Sequence, residues 1–198
     1  RQVSRVVRFY FDFVSPYSYL AATQVEALAE RTGATLDYRP IHVGTLMARV
    51  GNRPTSIECA AKRNYSMSDL ARWAKRLGVP VVMNPLFGKL DTRPLLTATI
   101  AAKEMGHEQA AAKALFAGMW VERSDFADDH TVIALLERHA VPDAARIVAL
   151  GKERREALAA LIDAAEADGA FGVPSFFYAG QLFFGNDRMM FLEEALAS

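Results

Sequence analysis

The chain predicts an α/β fold in which a helical block interrupts a small sheet, and three observations carry that prediction. Strand-like stretches lie only near the two ends, at about residues 4–13, 34–41 and 172–184. Between about 57 and 169 nearly every segment has apolar residues at helical spacing. The resulting order is β-α-β, then helices only, then β-β-α. It divides the chain into an α/β unit built from residues 1–43 and 170–198, and an all-α unit of residues 44–169 inserted within it.

The opening strand, Val6 to Phe13, is a run of β-branched and aromatic residues, as a buried strand requires. It stops at Ser15-Pro16, after which Leu20, Ala21, Val25, Leu28 and Ala29 recur at helical spacing. Ser15 is a natural N-cap and Pro16 a natural first helical residue, because the N–H that proline lacks has no helical partner there. Gly33 ends this helix. Ala34 to Ile41 alternates and reads as a second strand, parallel to the first if the crossover is right-handed. Residues 43–56, with Gly44, Gly51, Asn52, Arg53 and Pro54, read as a loop after a short helical turn around Leu46 to Arg49. A helix over 65–77 places Leu70, Trp73, Ala74 and Leu77 on one face and closes at Gly78. Val79 to Pro85 is extended, and further helices are predicted at about 93–105, 108–122, 130–139, 143–149 and 152–168. Gly172 to Tyr178 and Gln181 to Phe184 form a hairpin about Ala179-Gly180, and a last helix runs from about 187 to 197.

With 52% hydrophobic residues the chain can build a substantial core. Lys and Arg (23) balance Asp and Glu (23), so the zero net charge points away from nucleic acid and anionic membranes as partners. No apolar run reaches the ~18–20 residues of a membrane span, and no signal-peptide pattern precedes the first strand. The single cysteine, Cys59, excludes an internal disulfide and a multi-cysteine metal site and suits a reducing, cytoplasmic setting. It reads as a small apolar helix residue. His42 reads as a structural histidine, and His107, His130 and His139 lack metal-ligand spacing, so no metal is expected.

Chemistry concentrates at the tip of the first strand. A helix N-terminus offers free N–H groups and positive potential, and here a serine hydroxyl sits on it, so the tip favours an anion. Thioredoxin-like proteins carry a Cys-x-x-Cys pair at this place. In this chain the four residues are Ser15-Pro16-Tyr17-Ser18, which excludes dithiol chemistry. Gly172-Val173-Pro174 stands where such a fold holds a cis proline facing the first helix.

The stretches Phe11 to Ala21, Gly51-Asn52, Tyr65 with Asp69 to Trp73, Gly172 to Phe176, and Phe184 to Arg188 extend the likeness over nearly the whole chain. On them the chain resembles the kappa-class glutathione transferases and, more closely, the 2-hydroxychromene-2-carboxylate isomerases of aromatic hydrocarbon catabolism. The resemblance implies a DsbA-like thioredoxin fold, a homodimer, and glutathione as cofactor. It implies that Ser15 holds the glutathione sulfur as thiolate, and that Val173, before Pro174, pairs with the cysteinyl backbone. It implies that Phe184, Gly185, Asn186, Asp187 and Arg188 take the γ-glutamyl end. For a small aromatic substrate it implies Asn52, Arg53 and Phe87, with Tyr17 bordering the site. The stretches His42 to Met47 and Met83 to Lys89 lack a close match, which leaves the substrate open. Two other readings are a kappa-like transferase that conjugates electrophiles and a redox-inactive thioredoxin-like binding module.

Overall fold

The structure, a computed structural model, describes residues 5–198; Ser4, expected to open the first strand, lies outside the described residues. Strand β1 (Val6–Phe11) leads through helix α1 (Pro16–Thr32) to β2 (Thr35–Pro40). Eight helices follow: α2 (Val43–Val50), α3 (Thr55–Glu58), α4 (Ala60–Leu77), α5 (Arg93–Glu104), α6 (Glu108–Trp120), α7 (Asp129–Arg138), α8 (Ala144–Gly151) and α9 (Arg155–Ala167). Strands β3 (Ser175–Tyr178) and β4 (Gln181–Phe184), a 3-10 turn over Asn186–Arg188, and helix α10 (Met189–Ala197) complete the chain.

The sheet order is β2-β1-β3-β4. β1 runs parallel to β2, with Val6 opposite Thr35 and Phe11 opposite Pro40, and antiparallel to β3, with Phe9 opposite Phe176. β1 lies between two neighbouring strands, and apart from Arg8 its residues are β-branched or aromatic, with Val7, Phe9, Tyr10 and Phe11 buried. Phe9, Phe11 and Phe13 point to one side, where Phe9 stacks on Phe176 at 5.0 Å and Phe13 meets Phe116 of α6 at 4.7 Å. Arg8 and Tyr10 point to the other and both bond Asp168, just past α9, at 2.7 Å. Burial and Asp168 together push the Tyr10 phenol up to about 12.

The helical block is welded to the sheet rather than hung from it. Phe11, Phe13, Leu20, Leu96, Phe116 and Trp120 belong to one continuous apolar cluster. Lys103 of α5 pairs with Asp37 of β2 and donates to Tyr38 O at 3.1 Å. Gly151 lets α8 approach the backbone of α5, where a Cβ would stand 2.9 Å from Ala98 N. Among the described residues no helix is long and apolar enough to cross a membrane.

Three elements differ from expectation. Residues 43–50 form a full helix, not a loop with one turn, because the His42 ring caps it by accepting from Thr45 N (3.2 Å) and Gly51, at φ +74°, closes it. His42 thus has the structural role expected of it. α4 begins at Ala60, five residues before the expected start, and Cys59 forms the extended corner between α3 and α4 instead of lying inside a helix. There the backbone N–H groups of Lys62 and Ala61 hold the Cys59 thiol below its ordinary value. Finally, residues 172–174 are not strand; they form the pinned loop described next.

Candidate functional site

The site is built around the turn that joins β1 to α1. Ser15 caps α1 in extended conformation, its Oγ accepting from Ser18 N at 3.0 Å, and its own N–H donates to Asp12 O at 3.1 Å. The Asp12 carboxylate is fully buried. It accepts from Val43 N at 2.9 Å and Val14 N at 3.4 Å, so one side chain joins the turn to the start of α2. Burial pushes the Asp12 carboxyl up, while the Val43 N–H, the Thr92 hydroxyl and nearby His42 pull against that rise. From the opposite side the buried Trp120 indole donates to Phe13 O at 2.8 Å. The residues on either side of the turn are therefore fixed independently of any ligand.

Facing this turn is the loop 171–174, in which all four carbonyls accept a hydrogen bond. Phe171 O takes Asn52 Nδ2 (2.7 Å), Gly172 O takes Ser175 Oγ (2.8 Å), and Pro174 O takes Gly185 N (2.9 Å). Val173 O takes Ser15 Oγ at 3.4 Å, the longest and weakest of the four. The Val173–Pro174 peptide is cis, as the sequence motif leads one to expect. Gly172 has no room for a side chain larger than hydrogen without displacing Phe184, whose ring would lie 3.2 Å from a Cβ there. The Val173 N–H makes no hydrogen bond among the described residues.

The third part is the corner after β4. Gly185 adopts φ +94°, ψ +153°, a region closed to side chains bearing a Cβ, and Asp187 folds back over it. Asn186 is buried, whereas Asp187 and Arg188 are exposed and pair with each other at 2.9 Å. Among the described residues two buried polar side-chain atoms lack a partner, Ser18 Oγ and Asn186 Nδ2. Such atoms are rare and call for an explanation. One lies in the first turn of α1 and the other in the turn before α10, within the two motifs that the sequence singles out.

The structure thus brings Ser15, Val173, Pro174 and Gly185 into one hydrogen-bonded unit, with Phe184 and Asn186 beside it. The four residues expected on the substrate side lie further out. Asn52 reaches the unit through Phe171. Arg53 is exposed, forms no ion pair among the described residues, and lines a groove of about 510 Å³ with Met47 and Pro54. Phe87 packs edge-on against Trp120 at 5.8 Å. The Tyr17 hydroxyl donates to Asp69 at 2.9 Å, which commits it to α4; burial and then Asp69 push its pKa up. Its ring lines a second cleft of about 570 Å³ with Lys62 and Tyr65. Sequence reasoning passed over Asp12 and Trp120 as site-building residues. An acid inside Phe11-Asp12-Phe13 was a signal for the first; nothing local distinguished Trp120 from an ordinary core residue.

The fold and this corner define the class. The DSBA-like thioredoxin domain family matches residues 6–197, so the chain belongs to that family. Within it, the chain is 32% identical over 200 residues to the 2-hydroxychromene-2-carboxylate isomerase of Sphingobium xenophagum, covering 98% of this chain and 99% of that one. It belongs with that isomerase family. A solved structure of a 2-hydroxychromene-2-carboxylate isomerase superposes with a TM-score of 0.85 at 28% identity, covering 97% of this chain and 94% of the other. Glutathione S-transferase kappa 1 of Caenorhabditis elegans is 29% identical over 156 residues, 75% of this chain and 69% of the other.

Proposed function

We propose that this protein is a glutathione-dependent cis–trans isomerase for substrates of the 2-hydroxychromene-2-carboxylate and trans-o-hydroxybenzylidenepyruvate type, acting as a cytoplasmic homodimer in aromatic hydrocarbon catabolism. The observation that carries the reading is the unit around Ser15: a hydroxyl on a helix N-terminus, opposite the Val173–Pro174 backbone, flanked by two buried polar atoms without partners.

These residues suit glutathione. Ser15 Oγ spends its proton on a 3.4 Å contact to Val173 O, so it can turn that proton toward a sulfur at little cost. The Val173 N–H is available to pair with a peptide backbone laid beside it. The Asn186 amide and the turn before α10 suit the carboxylate of a γ-glutamyl group, and Asp187 suits its ammonium. Bound here, glutathione would supply a thiolate nucleophile for reversible addition to the substrate's conjugated double bond. The chain's own work is to keep that sulfur ionised, to hold the peptide along the 171–174 loop, and to orient the substrate. Arg53 is the proposed partner of the substrate carboxylate, with Phe87 and Tyr17 bordering the acceptor side.

A second reading, a kappa-like transferase, draws on the likeness to glutathione S-transferase kappa 1. One assay separates the two. With trans-o-hydroxybenzylidenepyruvate, isomerisation is expected to depend on added glutathione and to leave its concentration unchanged. Stoichiometric loss of glutathione with an electrophilic acceptor, without isomerisation, supports the transferase; isomerisation at full rate without glutathione contradicts the proposal.

A further inference from the structure

Resting on that reading, we propose that Asn52 is a positioning residue for the glutathione side of the site, acting through the 171–174 loop, and is not a ligand of the aromatic substrate. Both ends of its amide are already engaged. Nδ2 donates to Phe171 O at 2.7 Å, and Oδ1 accepts from Arg53 N at 2.8 Å. Its own N–H donates to Met47 O at 2.9 Å as α2 closes, so the side chain leaves the helix end at a fixed angle.

What Asn52 holds is the one loop carbonyl secured from outside the sheet and the Ser15 turn. Gly172, Val173 and Pro174 are bonded by Ser175, Ser15 and Gly185, all neighbours in the sheet or at its ends. Phe171 precedes them, is 41% exposed, and its ring lies tilted against Phe184 at 4.6 Å. Without the clasp its carbonyl turns to water, and the backbone before Val173 loses its anchor. When Ser15 redirects its proton to a sulfur, Val173 O loses its bond as well, so the loop then relies more on Asn52. The side chain of Met47, within α2, lies close to Gly172, 3.5 Å from where a Cβ would stand. α2 and the corner after it thereby act as a bracket for the peptide-pairing segment, and Arg53 alone of this pair remains free to face a substrate.

The test uses the full-length protein and the variants Asn52→Ala and Asn52→Asp, the second keeping the acceptor for Arg53 N while setting an oxygen against Phe171 O. Loss of one such hydrogen bond is expected to weaken glutathione binding by about tenfold in calorimetry. The KM for trans-o-hydroxybenzylidenepyruvate at saturating glutathione is expected to stay within about twofold of wild type. A raised substrate KM with unchanged glutathione affinity overturns the assignment, as does no change in either. Hydrogen exchange without ligand gives an independent reading: the Gly185 amide, which is bonded to Pro174 O of this loop at 2.9 Å, is expected to exchange faster in both variants. If exchange is unaltered the clasp is refuted whatever the protein binds. If exchange accelerates but wild type binds no glutathione, the clasp stands and the proposed function fails.

Discussion

Replacing Ser15 by alanine is expected to lower turnover by about ten- to a hundredfold, while glutathione affinity falls only a few-fold. A free thiol has a pKa of about 8.5, so only a few per cent is thiolate at neutral pH. Lowering it by two units requires about 2.7 kcal/mol of preference for the charged form. A hydrogen bond to a charged acceptor contributes roughly 1.5–3 kcal/mol and a partly buried helix terminus up to about 2. Together they suffice without a general base; the helix terminus alone falls short. The alanine variant also loses the cap on Ser18 N, which costs about 1 kcal/mol of stability. Turnover is therefore compared at a temperature where both proteins are folded. Unchanged turnover there removes Ser15 from the mechanism.

Trp120→Phe is expected to cost about 2–4 kcal/mol of stability, the largest structural effect of a modest substitution at the site. The indole is fully buried and its N–H satisfies Phe13 O, a carbonyl with no access to water. Phenylalanine removes the donor, leaves that carbonyl unpaired and opens a void under Phe87. Because Phe13 lies two residues before Ser15, turnover of the folded variant is expected to fall as well. Denaturant unfolding should show a lower midpoint at unchanged slope. A loss below about 1 kcal/mol together with full activity contradicts the view that Trp120 fixes the turn.

Much of the architecture was legible in the chain because local signals agreed with one another. Ser15-Pro16 marked the start of α1, Gly33 its end, and the run of β-branched and aromatic residues in β1 its burial. The motif Gly172-Val173-Pro174 pointed to the cis proline opposite Ser15, although these three residues read as strand and are loop. What escaped was long-range. α2 looked like a loop because its cap is a histidine ring and Gly44 stands in its first turn, and neither is a common start signal. The pairing of Asp12 with Val43 and of Trp120 with Phe13 spans 31 and 107 residues, and no periodicity encodes such contacts. The same holds for the substrate side. Phe87 meets Trp120 only through long-range packing, and Tyr17 turns to Asp69 for a hydrogen bond that spacing cannot reveal.

The central claim is that this corner keeps a guest sulfur charged. It is tested most directly by titrating the ultraviolet thiolate absorbance of glutathione in the presence of excess wild-type protein. The account predicts saturable binding and an apparent thiol pKa about two units below the free value of about 8.5. No saturable binding, or a bound thiol that still ionises at its free value, contradicts it.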